Sequence, residues 1–397
     1  MVTVLESKTM SIKGLRIARV STVPFFVVTQ LSAQLRALNE SGAEVHVIAS
    51  DDDLRDALHA MQGVEFMPIN IAREISPLSD LVSLVRLIVL FRKKRYDIVH
   101  STTPKAGLLT AIAARVAGVK VRLHTFTGQP WVTMSGLKKQ ILIFCDKIIA
   151  NLNTHNFTDS ESQRAFLVRE GLVSAKKISV IGAGSLAGVD LRRFDSARFS
   201  NTQNVELRQA LEIPEDAKIL LFVGRVTPDK GIRELMLAFS KLCTDQHNVF
   251  MVMVGPYEAD GREIVESHLA AGHNDRIKIV GMQVEPEKYM AIADILCLPS
   301  YREGFGTVVI EAAAMGLPTV GTEIYGLTDA VVQGETGLLV PVGDAGALGE
   351  AIGLLLSNPE RLAVMSSDAR SRARREFDSA RCSALLIEKY EGFHYGQ

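Results

Sequence analysis

Short runs of β-branched and other apolar residues alternate with stretches of helical hydrophobic spacing along the whole chain. This alternation is typical of parallel sheets whose strands are joined by helices. In the first half the pattern predicts helices such as 29–41 and 78–94. It also predicts strands at 16–20, 44–49, 97–100, 119–124, 147–150 and 178–181.

A polar stretch at 195–203, with several Ser and Asn, interrupts the pattern and is the predicted linker. A second series of strands is predicted after it, at 218–223, 249–254, 277–280, 295–298 and 318–321. We therefore expect an α/β protein with a first lobe at 1–194, a second lobe at 204–376 and a last helix within 377–397. Ligand sites in such sheets lie at the carboxyl ends of strands, so a cleft between the lobes is the predicted active site.

The amino-acid composition and the charge balance exclude some classes of protein and partner. The 397 residues are 47% hydrophobic and 22% charged, which excludes a disordered chain. Lys and Arg total 44 against 45 Asp and Glu, so nucleic acid is not an expected partner and any anion must be bound by a local site.

Four cysteines lie far apart, with no Cys-x-x-Cys pair and no His cluster at metal-ligand spacing. This usage favours a reduced, cytoplasmic setting and predicts no structural zinc site. Residues 1–13 carry charges and lack the apolar core of a secretory signal. No uncharged apolar stretch reaches the ~18 residues of a membrane span, so the protein is expected to be soluble or at most peripheral.

A basic turn follows the first predicted strand of the second lobe. Gly224 permits close backbone approach at the strand end, and Arg225 and Lys230 place two cations over the same crevice. That arrangement suits a diphosphate. On this spacing alone, a solvated turn with two surface cations explains it equally well.

A glycine-rich segment between two glutamates makes the diphosphate interpretation stronger. Gly304 and Gly306 favour a tight loop before a predicted helix at 307–315, whose free N–H groups would face an anion. Glu303 precedes this helix, and Glu311 lies roughly 6 Å beyond its start at ~1.5 Å per residue. The spacing suits a nucleoside diphosphate sugar lying lengthwise, whereas an isolated acidic pair would be read as two solvated helix charges.

These residues resemble the retaining glycosyltransferases of family 4, which have the two-lobed GT-B fold. The likeness covers nearly the whole second lobe in the expected order. It rests on Gly224-Arg225…Lys230-Gly231, Val254-Gly255-Pro256, Val280-Gly281, Pro299-Ser300-x-x-Glu303-Gly-Phe-Gly…Glu311-Ala312 and Gly334-x-x-Gly337-Leu-Leu-Val340.

The resemblance implies a role for each matching position. The implied contacts are the donor diphosphate for Gly224, Arg225, Lys230, Thr307 and Val308, the donor sugar for Glu303, Gly304, Phe305 and Gly306, the ribose for Glu311, and the base for Val280, Gly281 and Met282. The family needs no metal, which agrees with the missing Asp-x-Asp motif, and no cofactor is expected.

The first lobe resembles the family more loosely. Three segments, 73–77, 100–107 and 124–131, are similar to the transferases that build capsular, O-antigen and related glycans on polyprenyl diphosphate carriers. By this likeness His124 matches the family's first-lobe histidine near the reacting sugar, so His124 and Glu303 are the predicted catalytic pair.

The predicted acceptor residues each have a structural alternative. His100, like His124, is expected to close its strand at the carboxyl end, although a single histidine there more often makes a structural hydrogen bond. Lys105 could meet an acceptor phosphate or be a solvated cation, and Trp131 could stack on a sugar or pack. Arg73 completes this acceptor set.

A very apolar stripe at 78–95 ends in four consecutive cations. Its apolar side is predicted to face the core, because crossover helices bury one face. The cations at 92–95 could touch anionic lipid at about 1 kcal/mol each, which predicts salt-sensitive, peripheral association with the inner face of the cytoplasmic membrane.

A segment at 181–190 looks like a dinucleotide fingerprint, with glycines at Gly182, Gly184 and Gly188. A true fingerprint opens a helix and has an acidic residue about 20 residues later, whereas this segment leads into the polar linker. It fits the family's Gly-Val-Asp loop better, with Ala187 in place of the usual Asn.

Three functions remain open. The leading one is a retaining transfer of a sugar from a nucleoside diphosphate sugar to a lipid-linked saccharide in cell-surface polysaccharide synthesis, with uridine the expected base, although guanosine donors also occur in the family. The second is a sugar-nucleotide epimerase or hydrolase of the same two-lobed fold. The third is a nicotinamide-dependent enzyme or a non-catalytic nucleotide-binding module.

Overall fold

The computed structural model describes residues 11–52, 54–72, 76–245, 248–258, 260–273 and 275–396. These residues form two sheets in which every paired strand is parallel, each covered by helices on both faces. The predicted doubly wound α/β architecture is thereby confirmed.

The first sheet has seven strands in the order β3-β2-β1-β4-β5-β6-β7. Its strands are β1 Arg16–Val20, β2 Glu44–Ala49, β3 Val64–Pro68, β4 Ile98–Thr102, β5 Val121–Phe126, β6 His155–Thr158 and β7 Ile178–Val180. The second sheet has six strands in the order β10-β9-β8-β11-β12-β13. Its strands are β8 Lys218–Val223, β9 Val249–Val254, β10 Ile277–Gly281, β11 Ile295–Leu298, β12 Thr319–Thr322 and β13 Gly337–Val340.

The α-helices connect and cover these strands. They are α1 Pro24–Phe26, α2 Ser32–Glu40, α3 Arg55–His59, α4 Pro77–Lys94, α5 Pro104–Ala117, α6 Gly136–Leu152, α7 Glu161–Arg169, α8 Asn201–Ala210, α9 Ile232–Asp245, α10 Gly261–His268, α11 Glu287–Ile292, α12 Thr307–Met315, α13 Leu327–Ala330, α14 Ala345–Leu356, α15 Pro359–Glu376 and α16 Ser379–Tyr395. No helix in these ranges combines the length and apolarity that crossing a membrane requires.

One predicted strand is wrong. Residues 147–150 lie in the last turns of α6, where Ile149 and Ala150 pack into the core. The strand in this region is β6, which begins five residues after Ala150. Its sequence, His-Asn-Phe-Thr, is too polar to predict a strand. Part of the predicted linker is also helical, because Ser200 and Gln203 form a capping box that begins α8.

The expected burial of the apolar side of 78–95 is confirmed for one side of the helix. Helix α4 buries Ser83, Leu87 and Phe91. Leu84, Ile88 and Leu90 are partly buried and pack against the same core. A second group of aliphatic residues on α4, Leu78, Leu81, Val82, Val85 and Val89, lies half or more exposed, which the sequence did not predict.

The last helix returns to the first lobe. Leu386 and Tyr390 of α16 are fully buried in the core beneath the first sheet, where α16 packs against α2. The Tyr390 hydroxyl accepts a hydrogen bond from Arg19 Nη1 at 3.0 Å and lies 2.6 Å from His100 Nδ1. The first lobe therefore contains a helix that follows the second lobe in sequence.

Candidate active site

The loop 299–306, here called the Glu303 loop, leads from β11 into α12. Gly306 precedes the helix at φ +79°, a left-handed conformation that glycine adopts without strain. No side chain caps the N-terminus of α12, and Thr307 and Val308 are only partly buried. The first N–H groups of α12 are therefore available to an anion.

The Glu303 carboxylate is held by two side chains of the second lobe. Glu303 Oε1 lies 2.5 Å from Lys230 Nζ and accepts a hydrogen bond from Ser300 Oγ at 2.8 Å. Both partners of the ion pair are largely buried, with side chains 16% exposed for Lys230 and 12% for Glu303. Two residues predicted to contact different parts of the donor therefore contact each other.

Glycine makes this approach possible. Lys230 ends a 3₁₀ turn, Pro228–Lys230, and Gly231 follows at φ +69°. A Cβ atom at Gly231 would lie 2.0 Å from the Pro299 carbonyl oxygen. Only a residue without a side chain lets the basic turn pack against the Glu303 loop.

Arg225, the second cation of the predicted diphosphate site, lies just after the carboxyl end of β8. Arg225 Nη1 lies 2.6 Å from Glu258 Oε2, and the Arg225 side chain is 41% exposed. Gly224 lies so close to the end of β9 that a Cβ atom at Gly255 would lie 1.8 Å from the Gly224 carbonyl oxygen. The free protein thus neutralises each cation of the predicted diphosphate site with a carboxylate.

The predicted base-binding residues continue this row of strand ends. Gly281 ends β10, and its carbonyl oxygen accepts a hydrogen bond from Gly255 N at 2.8 Å. Val280 is partly buried and Met282 is 62% exposed. This edge of the second lobe is open to solvent.

Glu311 lies in the second turn of α12, in a charged surrounding that the sequence did not reveal. Burial raises the pKa of Glu311 to about 7, against a lowering by Arg193 and a further raising by Glu287. Arg193 and Glu287 form a two-contact ion pair, with Nε–Oε1 and Nη2–Oε2 both 2.9 Å. Arg193 belongs to the segment after the Gly-Val-Asp loop, which would then face the donor side.

This pKa predicts a pH dependence of donor binding. If the Glu311 carboxylate accepts hydrogen bonds from ribose hydroxyls, the ionised form binds better, and at pH 6 only about a tenth of it is ionised. We expect the affinity for a nucleoside diphosphate sugar to rise from pH 6 to pH 8 and then level off, as measured by calorimetry. Glu311→Gln should bind more weakly and without this rise; an unchanged rise in the variant would contradict the assignment.

His124 does not reach the cleft. It lies inside β5, which continues to Phe126, and is 2% exposed, with Nδ1 2.9 Å from Ser101 Oγ. A Cβ atom at Gly107 of α5 would lie 2.4 Å from its ring. Burial lowers the pKa of His124 to about 3, so the ring is neutral. This placement does not support the predicted contact with the donor sugar.

His100 and Trp131 take their structural alternatives. His100 is 1% exposed within β4 and bonds Tyr390 and Thr125, the latter through Nε2 at 2.8 Å. Trp131 is 3% exposed, donates to Asp146 Oδ2 at 2.7 Å and stacks on Phe166. Neither side chain is open to an acceptor.

The other two predicted acceptor residues differ in what the structure shows. Lys105, at the start of α5, lies 2.6 Å from Asp80 Oδ1 on α4. Arg73 lies outside the described residues. Among the predicted acceptor residues that the structure describes, His100 and Trp131 are therefore buried, and Lys105 pairs with a neighbouring helix.

The first-lobe segment that faces Glu303 is the loop after β5. A Cβ atom at Gly304 would lie 2.6 Å from the Thr127 carbonyl oxygen, and one at Gly128 would lie 3.2 Å from Gly304 N. Ser160 Oγ, at the end of β6, donates to the Gly304 carbonyl oxygen at 3.2 Å. In the sequence, these backbone contacts are visible only as the glycines Gly128 and Gly304.

A second contact between the lobes lies beside the first. Asp329 accepts hydrogen bonds from Ser162 Oγ and from Glu161 N, the latter at 3.0 Å, so a second-lobe carboxylate caps first-lobe helix α7. Tyr325 stacks on Phe166 at 4.9 Å between ring centroids. The two lobes are joined at the strand ends of β5 and β6.

Asp159 is a buried carboxyl at this junction that the sequence did not single out. Its Oδ1 has no hydrogen-bond partner among the described residues, and burial raises its pKa to about 8. Its carbonyl oxygen accepts from Ser185 N at 2.6 Å. The side chain is therefore protonated at neutral pH.

Asp159 should make folding stability fall with rising pH. Between the unfolded pKa of about 4 and the folded value of about 8 only the folded state holds the proton, so each pH unit costs at most about 1.4 kcal/mol. We expect Asp159→Asn to raise the melting temperature relative to the parent, and by more at pH 8 than at pH 5. The exposed Asp368→Asn is the control; an equal shift at both pH values would contradict the prediction.

Comparison with known proteins gives a consistent picture for both halves of the chain. The description "Glycosyl transferase 4-like domain" matches residues 27–184, and "Glycosyl transferases group 1" matches residues 203–372. The capsular polysaccharide biosynthesis glycosyltransferase CapM of Staphylococcus aureus is 30% identical over 91% of this chain and 93% of its own length. The UDP-Gal:alpha-D-GlcNAc-diphosphoundecaprenol alpha-1,3-galactosyltransferase of Escherichia coli is 26% identical over 90% and 92%.

Solved structures share the fold at lower identity. Anabaena Alr3699/HepE in complex with UDP and glucose superposes with a TM-score of 0.79 at 19% identity, covering 94% of this chain and 99% of that one. WaaG, a glycosyltransferase involved in lipopolysaccharide biosynthesis, superposes with a TM-score of 0.70 at 15% identity, covering 96% and 100%.

Proposed function

Because this chain belongs to the group 1 glycosyltransferases and has their GT-B fold, we propose that it is a retaining transferase using a nucleoside diphosphate sugar. The expected base is uridine, and the expected acceptor is a saccharide on a polyprenyl diphosphate. The observation that carries the proposal is the Glu303–Lys230 ion pair beside the uncapped N-terminus of α12, facing the loop after β5.

The donor side is supported by how the two cations are held. Lys230 and Arg225 each pair with a carboxylate, Glu303 and Glu258. A donor diphosphate would take the place of these carboxylates as the partner of both cations and would add the N–H groups of α12. The arrangement also fits UDP, which the related Alr3699/HepE structure holds.

The same groups would assist the departure of the nucleotide. Negative charge grows on the diphosphate as the glycosidic bond breaks, and positioned cations and helix amides stabilise it. This chemistry uses the chain's own side chains and amides, so no metal or cofactor is part of the proposal. The Glu303 carboxylate, at the point where the lobes meet, would stabilise positive charge on the sugar ring.

The proposed acceptor class is supported by the names of two relatives and by the extent of their match to this chain. The Escherichia coli relative is named for a diphosphoundecaprenol-linked acceptor, and the Staphylococcus aureus relative for capsular polysaccharide biosynthesis. Both relatives match this chain from the first lobe to the second. A lipid-linked saccharide is therefore the acceptor class we propose, in cell-surface glycan synthesis.

Turnover measurements test the proposal. Panels of UDP- and GDP-sugars would be incubated with and without a polyprenyl diphosphate saccharide, and the anomeric configuration of the product read by NMR. Acceptor-dependent release of nucleotide with retained configuration is expected. Equal release without acceptor would favour a hydrolase or epimerase, and tight binding of NAD without UDP would overturn the nucleotide-sugar site.

A lipid-linked acceptor requires contact with a membrane, and one face of the first lobe suits it. Helices α4, α5 and α6 pack side by side, and we call their outer surface the α4–α6 face. Its exposed apolar residues are Leu78, Leu81, Val82, Val85 and Val89 on α4 and Leu137, Ile141 and Phe144 on α6. Exposed cations at the end of α4 border this apolar surface, as in helices that lie in a lipid interface.

The cations of this face should set its affinity for anionic lipid. Arg92, Lys93 and Arg95 are exposed, and at ~1 kcal/mol each their replacement by glutamine should weaken vesicle binding by about 100-fold. Flotation with vesicles of anionic and neutral lipid at low salt measures this. The triple variant Lys241→Gln, Arg262→Gln, Arg381→Gln removes the same charge elsewhere; equal weakening by both variants would exclude a role for the α4–α6 face.

A further inference from the structure

Three side chains converge at the outer edge of the first sheet, away from the cleft. His46 of β2 and Glu65 of β3 are register partners, and Glu44 lies two residues before His46 on the same side of β2. His46 Nε2 lies 3.1 Å from Glu44 Oε1 and 2.9 Å from Glu65 Oε2. The imidazole nitrogen thus sits between two carboxylate oxygens.

The tautomer of the ring decides what Nε2 offers to the two carboxylates. His46 is 1% exposed, and its Nδ1 lies 2.7 Å from the Tyr96 hydroxyl oxygen, which lies 3.4 Å from Met67 Sδ. When Nδ1 carries the proton, it donates to the Tyr96 oxygen, and the Nε2 lone pair points at the two carboxylates. When Nε2 carries the proton, it donates to the carboxylates and Nδ1 accepts from Tyr96, so a metal ion would select the first tautomer.

With Nδ1 protonated, the ring leaves three acceptors facing one another. His46 Nε2 is buried and makes no well-aligned hydrogen bond among the described residues, and its close polar neighbours are the Glu44 and Glu65 carboxylates. In this tautomer the three electron-rich atoms repel one another unless an electrophile, either a second ring proton or a metal ion, lies between them. A divalent metal ion satisfies all three ligands at once.

The spacing suits such an ion. Zn²⁺ bound at ~2.0–2.2 Å in a tetrahedron has ligand atoms roughly 3.3–3.6 Å apart, a few tenths of an ångström more than the 3.1 and 2.9 Å distances to His46 Nε2. The three ligand atoms all lie within 4.8 Å of one another, so a small outward rotation of the carboxylates makes room. Tyr96 holds the other ring nitrogen, as an outer partner of a metal-bound histidine does.

Two cations hold the carboxylates from outside. Arg16 Nε lies 3.1 Å from Glu44 Oε2, leaving Oε1 directed at the ring, and Lys94 Nζ lies 3.3 Å from both Glu65 oxygens. They compete with a metal ion for the carboxylate charge. Removing Lys94 should therefore tighten metal binding, whereas removing a ligand should weaken it.

We propose that Glu44, His46 and Glu65 form a binding site for a divalent transition-metal ion of the Zn²⁺ class, with water at the open position. One imidazole with two carboxylates favours such an ion over Mg²⁺, which takes oxygen ligands. The open pocket at this edge, also lined by His59 and Gly63, gives the ion a path from solvent. The bound ion would tie edge strand β3 to β2.

The site does not depend on the proposed sugar transfer and is tested by metal binding itself. The full chain would be stripped with a chelator and titrated with ZnCl₂, in a Cys145→Ser background because Cys145 is partly exposed, whereas the other three cysteines are buried. We expect one Zn²⁺ per chain and a rise in melting temperature on binding. No Zn²⁺ bound at millimolar concentration, or equal binding of Mg²⁺, would overturn the proposal.

Variants in opposite directions make the test specific. Glu65→Gln, at an exposed position, and His46→Gln should each weaken Zn²⁺ binding by at least about tenfold, by analogy with the 10–100-fold effects of weaker outer-shell changes. Lys94→Gln should tighten binding, and Glu212→Gln, an exposed ion-pair partner of Lys278, should leave it unchanged. Because His46 is buried, circular dichroism would check its fold, and Glu65→Gln decides the outcome alone if His46→Gln unfolds. Unchanged affinity in Glu65→Gln would contradict the site.

Discussion

Replacing Glu303 by glutamine should lower turnover by about 10²–10³-fold, the usual cost of removing one charged group that acts in a transition state. The carboxylate lies next to the point where Gly304 meets the loop after β5, so in the proposed mechanism it would face the donor sugar at the junction of the lobes. The sugar ring gains positive charge as the leaving group departs, and glutamine cannot stabilise that charge. Donor affinity should change much less than turnover, because glutamine keeps the shape and the hydrogen bond from Ser300.

Steady-state and single-turnover kinetics separate these two effects. Glu234→Gln is the matched control, since Glu234 makes the same charge change beside the same loop and contacts Tyr301 at 2.8 Å. Its turnover should stay within a few-fold of the parent. A Glu303 variant with parental turnover would remove Glu303 from the proposed mechanism.

Replacing Lys230 by methionine should weaken donor binding by roughly ten- to 150-fold, equal to the 1.5–3 kcal/mol of a charge-assisted hydrogen bond. Lys230 is more buried than Arg225, so water and salt screen its charge less. Its replacement should therefore weaken donor binding more than the replacement of Arg225 does. Methionine keeps most of the side-chain volume. Calorimetric titration with UDP measures the effect directly.

Lys218→Met is the control for this variant, because Lys218 begins β8, the strand that leads to the basic turn, and pairs with Asp294 at the end of β8 far from that turn. A loss smaller than tenfold in Lys230→Met, or an equal loss in Lys218→Met, would contradict the diphosphate assignment. The double variant with Glu303→Gln adds a second measurement. Since the two side chains are in contact, the effects of the two substitutions should not be additive.

The local geometry of the second-lobe candidate site could be predicted because it is encoded in short segments, whereas the ligand contacts of its residues stay a prediction. Gly306 and Gly231 stand at left-handed turns, and Glu303 and Glu311 lie eight positions apart on one loop and the helix after it. These features can be recognised in the sequence without knowledge of the surrounding structure. What the sequence did not show is that Lys230 and Glu303 pair, or that Arg193 and Glu287 surround Glu311. Those contacts join residues that are far apart in the chain.

The first-lobe site could not be predicted in the same way. Whether a strand histidine faces a cleft or a core depends on where the strand ends and on what covers it. His124 is covered by α5 through Gly107, and His100 by Tyr390, which lies 290 positions away. The strand predicted at 119–124 ends two residues before the true end of β5 at Phe126.

The hydrophobic pattern predicted the buried side of α4 but not its exposed aliphatic residues. Buried and exposed aliphatic residues have the same composition, and only the packing shows which of them face the core. The exposed remainder became evident from the structure. The charge at the end of α4 was predictable, because like charges in a run are visible in sequence alone.

The return of α16 to the first lobe has a consequence for how the protein is made. During synthesis the last strand of the first lobe emerges about 200 residues before the helix that completes its core, because β7 ends at Val180 and α16 begins at Ser379. Until Tyr390 is made, Arg19 Nη1 and His100 Nδ1 each lack one hydrogen-bond partner, and the apolar surface of α2 stays uncovered. The nascent first lobe therefore exposes apolar surface, the feature that chaperones bind, until α16 has been synthesised.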